Sequence, residues 1–176
     1  DTSKKTVALD DGSEISYEKL LLAVGGAARK YNVPGSEKKN IFYVRTLDDA
    51  KAIIATVKNV KRAATIGGGF VSFEMCEMLR LAGVDVTLVM REPFFWQNLL
   101  DEPSSRMIET ALEKGGVHIL RNAEVAKVLG TDAVEGVILK DGTQIPCQMI
   151  IAGIGLVCPT GWLKDAGVEV GRGILA

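Results

Sequence analysis

Histidine, cysteine and aromatic residues are scarce in this sequence, and their scarcity removes several kinds of chemistry. There is one histidine, His118, and the three cysteines Cys76, Cys147 and Cys158 lie far apart. An odd cysteine count, no CxxC spacing and a lone histidine leave no basis for a disulfide scaffold, a zinc site or a dithiol redox centre, so no metal site is expected. Each cysteine reads as a small buried hydrophobe, which suits a reducing intracellular compartment such as the cytoplasm. The formal net charge is −1, so no field draws nucleic acid or an anionic membrane, and neither is expected as a partner. No apolar run approaches the roughly 20 residues that span a bilayer. Asp1 to Lys5 have no signal-peptide shape and read as the start of an excised piece. Hydrophobic residues nevertheless make up 47% of the chain against 24% charged, enough to fill a globular core.

Two stretches resemble each other. Val7-Ala8-Leu9-Asp10-Asp11-Gly12-Ser13-Glu14-Ile15 runs on to Leu20-Leu21-Leu22-Ala23-Val24-Gly25, and Val137-Ile138-Leu139-Lys140-Asp141-Gly142-Thr143-Gln144-Ile145 runs on to Ile150-Ile151-Ala152-Gly153-Ile154-Gly155. Val, Leu, Asp, Gly, Ile and the final Gly match in one ungapped register. Each copy predicts a strand, an Asp-Gly turn, a second strand, then a wholly apolar strand ending in Gly. An apolar strand of that kind suits a parallel sheet covered on both faces.

Between the copies, Pro34-Gly35 and the polar run from Ser36 to Asn40 predict a linker. A helix is expected from Leu47, a strand over 63–66, a helix over 70–81, a strand over 84–89, a helix over 104–114 and a strand over 117–120. Residues 124–129 are expected to join the second hairpin in a small antiparallel β-meander insert. The fold class that follows is α/β: a Rossmann-like parallel sheet with right-handed crossovers and helices on both faces.

The strongest chemical signal is Thr65-Ile66-Gly67-Gly68-Gly69-Phe70-Val71-Ser72-Phe73-Glu74. Gly67 permits a tight turn and Gly69 a close backbone approach to a pyrophosphate. Ser72 is small enough for the third position, where helix packs on strand. Amides at the helix start then meet the anion. The turn follows a strand, opens a helix and leads into another strand at the expected distance, which predicts a nicotinamide dinucleotide, NAD(H) or NADP(H), as ligand. The acid usually found at the end of the second strand is missing, because Val89 is followed by Met90 and Arg91, with Glu92 next. Arg91 can accept a 2′-phosphate and Glu92 can accept from ribose hydroxyls, so the choice between NADPH and NADH stays open. Gly153, Ile154 and Gly155 end the last strand and are expected on the nicotinamide side.

Other residues carry two readings each. Glu74 is either an exposed helix residue or a carboxylate facing the nicotinamide. His118 is expected as a satisfied core residue rather than a catalytic one. Phe94, Phe95 and Trp96 follow Pro93 and either cap the adenine or cover the sheet. Neither a Ser-His-Asp set nor a spaced carboxylate pair is present; hydride transfer requires two rings held in contact and needs neither.

The motifs Leu20 to Gly26, Val33-Pro34-Gly35, Tyr43-Val44-Arg45-Thr46-Leu47-Asp48-Asp49-Ala50, Ile66-Gly67-Gly68-Gly69-Phe70 with Glu74, and Ala152-Gly153-Ile154-Gly155 run along the whole chain in one order. In this the chain resembles the FAD-dependent pyridine nucleotide-disulfide oxidoreductases, closest to the branch of ferredoxin reductases, apoptosis-inducing-factor-like proteins and monodehydroascorbate reductases. The resemblance implies that residues 1–40 are the tail of an FAD-binding domain and a linker, 41–155 an NAD(P)-binding domain, and 156–176 a return segment. It implies a nicotinamide contact for Val71 and a place near nicotinamide and flavin for Glu74. It further implies FAD in the full-length protein and an electron acceptor such as an iron–sulfur protein. The other function it allows is an NAD(H)-sensing module that acts mainly through partner binding. Ser72 at the third glycine, Val24 for the usual Thr and Met90 for the acid depart from the family pattern.

Overall fold

Short apolar runs between turn residues become strands here, and segments with apolar residues three and four apart become helices. The computed structural model describes residues 1–175. In chain order they form β1 (Thr6–Ala8), β2 (Glu14–Ser16), β3 (Ala27–Ala28), β4 (Ile41–Phe42), α1 (Leu47–Val57), β5 (Arg62–Ile66) and α2 (Phe70–Leu81). Then follow β6 (Asp85–Val89), α3 (Glu102–Lys114), β7 (Val117–Leu120), β8 (Val125–Leu129), β9 (Gly136–Leu139), β10 (Gln144–Pro146), β11 (Met149–Ala152) and β12 (Leu156–Val157). Residues 28–155 make one compact unit, and 1–27 with the segment from 156 onward make another.

In the larger unit five parallel strands line up in the order β4-β11-β5-β6-β7. The order reverses at β5, whose neighbours are β11 on one side and β6 on the other; ligands in open α/β sheets sit at such a switch point. Alternation sorts the side chains by face. Ala63, Val86, Leu88, Val117, Ile119, Met149 and Ile151 pack with Ile53 of α1, Cys76 and Leu79 of α2 and Leu112 of α3. Ala64, Ile66, Val89 and Ile150 face the other way, onto Val125, Val128, Val137, Leu139 and Ile145. The expected Rossmann-like α/β sheet with its meander is present. Its layering is finer than the pattern resolved: the three helices share one face, and the antiparallel sheet β10-β9-β8 covers the second. Leu88, Ile150 and Ile151 are fully buried, each stabilising the fold by about 1.5–3 kcal/mol relative to exposure.

Helix ends follow local chemistry. Thr46 caps α1 in a reciprocal box: its hydroxyl accepts from the Asp49 amide, and the Asp49 carboxylate accepts from the Thr46 amide at 2.8 Å. The Asp101 carboxylate caps α3 by accepting from the Ser104 amide at 2.9 Å. No helix of the described residues is long and apolar enough to cross a membrane.

The internal likeness extends to individual bonds. In the first hairpin the Gly12 amide donates to Leu9 O (3.0 Å), the Leu9 amide to Ser13 O (2.8 Å) and the Ser13 amide to the Asp11 carboxylate (2.9 Å). In the second, Gly142 donates to Leu139 O (3.0 Å), Leu139 to Thr143 O (2.8 Å) and Thr143 to the Asp141 carboxylate (2.9 Å). The copies then diverge. Met149–Ala152 pairs on both edges and is buried throughout, whereas residues 20–25 form no strand and Leu21 is 87% exposed. An apolar segment is a strand only where neighbours satisfy its backbone, and among the described residues 20–25 have no strand partner.

Two further expectations need correction. His118 lies on β7 but is exposed, because the period of two turns it away from the buried Val117 and Ile119. Cys76 and Cys147 are buried as expected, but Cys158 is exposed. Burial pushes the Cys76 thiol up to about 12 and the Cys147 thiol up to about 11. At pH 8 both are therefore neutral and shielded. A chromogenic thiol reagent should react quickly with Cys158 alone in the native chain and with all three thiols after denaturation. Fast reaction of a second native thiol would contradict this packing.

Candidate functional site

The carboxyl ends of β5, β6 and β11 meet around the glycine turn. Gly67 has φ +111°, and a Cβ there would lie 2.5 Å from the Gly153 carbonyl oxygen. A Cβ on Gly153 would in turn lie 2.4 Å from Ser72 Oγ. Turn, helix and strand therefore touch backbone to backbone. The Ser72 hydroxyl is fully buried and donates to Ile66 O at 3.2 Å, so a residue larger than the usual glycine fits by finding an acceptor. The Gly67 amide donates to Val89 O and the Gly153 amide to Ile66 O, which fixes the turn against both neighbouring strands.

Gly69 has a different environment: nothing stands within 4 Å of its would-be Cβ. It is the N-cap of α2 and offers no side-chain cap, and the first turn contains no acid. With α1 and α3 both capped by side chains, α2 leaves its amides and positive dipole end for an outside acceptor.

Beside this turn opens a cleft of about 710 Å³, within the range of small-molecule sites. One wall is Gly67 to Gly69 with Gly153, Ile154 and Gly155; another is Arg91, Glu92, Trp96 and Asn98. Arg29, Tyr31, Glu124 and Lys140 line the remaining side. Glu92 holds the most informative atom. Its side chain is 15% exposed, and Oε1 accepts from Arg91 Nε at 2.9 Å. Oε2 is buried and has no hydrogen-bond partner, and it stands 3.4 Å from the would-be Cβ of Gly68. Leaving such an acceptor unmade costs about 1–3 kcal/mol, so a donor placed there gains correspondingly. Across the cleft the Lys140 ammonium bonds Glu124 and holds its carboxyl below the ordinary carboxylate range. Burial, reinforced by the Glu124 charge, pushes the Tyr31 hydroxyl up to about 12, so it remains a neutral donor.

The residues singled out in the sequence divide into two groups. Gly67, Gly68, Gly69, Arg91, Glu92, Gly153, Ile154 and Gly155 line the cleft together. Phe70, Val71, Ser72, Met90 and Glu74 do not. Met90 is buried beneath Gly68, its sulfur 3.5 Å from the would-be Cβ. Ser72 is packing, and Phe70 is 61% exposed at the start of α2, its ring edge-on to Trp96. Val71 is half-buried, and Glu74 is exposed on α2. In the aromatic loop Phe95 is fully buried in the core, as expected for a residue that covers the sheet, and Trp96 lines the cleft.

A family model described as pyridine nucleotide-disulphide oxidoreductase matches residues 1–176. The chain belongs to that family. It is 33% identical over 175 residues to a nitrite reductase (NAD(P)H) of Bacillus subtilis, covering 99% of this chain and 22% of that protein. It superimposes on a ferredoxin reductase of Rhodopseudomonas palustris with a TM-score of 0.95 at 25% identity, covering 100% of this chain and 44% of that one. An FAD-dependent pyridine nucleotide-disulphide oxidoreductase of Desulfovibrio vulgaris aligns with a TM-score of 0.81 at 27% identity, covering 98% and 46%. The chain thus spans less than half the length of the relatives it matches.

Sequence reasoning passed over Asn98, in the same loop as Arg91 and Glu92, and Arg29, Tyr31, Glu124 and Lys140, which reach the cleft from elements distant along the chain. Local pattern carries no signal for such residues. The glycine contacts make a firm prediction. Gly153→Ala should lower stability by about 1–3 kcal/mol through overpacking, read from urea unfolding. Ser72→Gly in the same chain should recover part of that loss by removing the 2.4 Å contact, although the Ser72 amide still stands at 3.1 Å. Equal stability of Gly153→Ala and the parent chain would contradict the geometry.

Proposed function

We propose that residues 28–155 bind NADH across this cleft, with the pyrophosphate on the α2 amides at Gly68 and Gly69 and the adenine ribose on Glu92. The observation that carries the reading is Glu92 Oε2, a buried acceptor without a donor beside the glycine turn. A ribose 2′-hydroxyl supplies that donor. A 2′-phosphate brings negative charge against a buried carboxylate, and Arg91, the adjacent cation, is already paired with Glu92. The open Gly69 and the uncapped α2 fit a dinucleotide independently of Glu92. When bound, NADH supplies a hydride; these residues supply its position and orientation.

By the family likeness, this nucleotide site belongs to an NAD(P)H-dependent flavoprotein reductase. We place the segments 1–27 and 156–175 in its FAD-binding half and assign it an iron–sulfur protein as electron acceptor. A flavin is given no site on these residues: among the described residues one glycine turn alone opens a helix, at Gly67 to Gly69. The same likeness gives Glu74, exposed on α2, a place near nicotinamide and flavin. In the flavin-bearing enzyme Glu74→Gln should slow flavin reduction at unchanged NADH affinity, and an unchanged reduction rate would remove that role.

Titration calorimetry tests the central reading. NADH should bind more tightly than NADPH. Glu92→Ala should weaken NADH binding about 10- to 100-fold, the value of a hydrogen bond to a charged group. No NADH binding at millimolar concentration would overturn the reading. Preference for NADPH, reversed by Arg91→Glu, would move the contact from Glu92 to Arg91.

A further inference from the structure

One buried charge in the larger unit lies outside the cleft. Glu109, on α3, is 1% exposed, and its two carboxylate oxygens accept from three elements at once. Oε2 accepts from Arg106 Nη1 at 2.6 Å and from Arg121 Nε at 2.8 Å, Arg121 standing directly after β7. Oε1 accepts from the backbone amide of Phe95 at 2.7 Å. A buried carboxylate is costly unless partnered, and helix packing here does not need one: Leu112, one turn on, already fills the core.

What the carboxylate does hold is the loop between β6 and α3. Trp96, the next residue, has φ +58°, a left-handed conformation that an aromatic residue adopts only when its surroundings impose it. Those surroundings are specific. The Phe95 amide is tied to Glu109 and the Trp96 amide to Gly68 O at 3.2 Å. The Leu99 and Leu100 amides close onto Trp96 O at 2.8 and 3.0 Å. Consecutive amides are thus pinned to α3 and to the glycine turn. The indole is left in the wall of the cleft, beside Gly68 and against Phe70.

We propose that Glu109 is a positioning residue for the nucleotide site: acting through the Phe95 amide, it sets Trp96 as the wall that encloses the dinucleotide beside Gly68. This rests on the reading of the cleft as an NADH site. Strain in the loop and the buried ion cluster then share one purpose, which is to give a mobile class of element, a loop, the rigidity of the sheet. Arg106 and Arg121 make the buried carboxylate tolerable, and the Phe95 bond puts it to use.

Four variants test this in the chain with Trp162→Phe, which leaves Trp96 as the one tryptophan. Glu109→Asp keeps a charge opposite the arginines but withdraws it from Phe95; Glu109→Gln keeps an acceptor at full length. Glu109→Asp should expose Trp96 to acrylamide quenching and weaken NADH binding about tenfold, the scale of one lost aromatic wall contact. Glu109→Gln should restore binding to within about threefold of the parent. Trp96→Ala should weaken binding similarly, and the double variant Glu109→Asp with Trp96→Ala should bind no worse than Trp96→Ala alone, because both act through one group. Additive losses in the double variant would overturn the proposal, as would unchanged quenching in Glu109→Asp. If the parent binds no NADH while Glu109→Asp still frees Trp96, the nucleotide reading fails and the role of Glu109 in holding the loop stands.

Discussion

The contact between Gly67 and the Gly153 carbonyl is the constraint from which the rest of the site follows. Two strands that are neighbours in the sheet but far apart in the chain end at the same height, and their backbones touch because neither residue carries a Cβ. That approach turns the chain sharply into α2, so the helix axis begins at the edge of the cleft. It also tightens the third position of the motif, where Ser72 survives only by donating its hydroxyl to Ile66 O. Move either backbone outward by the width of a methyl group and the α2 amides no longer face the opening.

Around that contact the structure divides its polar groups by purpose. Thr46 and Asp101 satisfy the starts of α1 and α3 internally, while α2 is left open. Arg106, Arg121 and Lys140 each have a carboxylate partner, while one oxygen of Glu92 does not. The uncapped start of α2 and the Glu92 oxygen adjoin one cleft, as expected where a ligand completes the bonding, while Thr65 Oγ1, also buried without a hydrogen-bond partner, lies outside it.

How much of this was legible in the sequence depended on range. Local patterns predicted α2 and β7 to the residue and placed both Asp-Gly turns, because helix faces, glycine stops and turn chemistry act over a few residues. The glycine turn and the pair Arg91–Glu92 were visible for the same reason. What was not visible was set by pairing across the chain. Residues 20–25 look like Ile150 to Gly155 but lack the two strands that make β11 a strand. The meander, not a helix layer, covers the second face of the sheet. Glu109 looks in sequence like any exposed helix acid, and only its place beneath the Phe95 amide makes it a structural centre. Local pattern likewise could not show how Arg91 and Glu92 differ: both line the cleft, Arg91 with a mostly exposed side chain and Glu92 with a buried oxygen that lacks a donor.

An amide-resolved NMR titration of the chain with NADH tests most directly whether the glycine turn holds the nucleotide. With the pyrophosphate on the start of α2, the largest shifts should fall at the amides of Gly68, Gly69 and Phe70, with accompanying shifts at Glu92 and Trp96 and little change in β1 and β2. Shifts that leave the glycine turn unmoved, or that centre on another part of the chain, would contradict that placement.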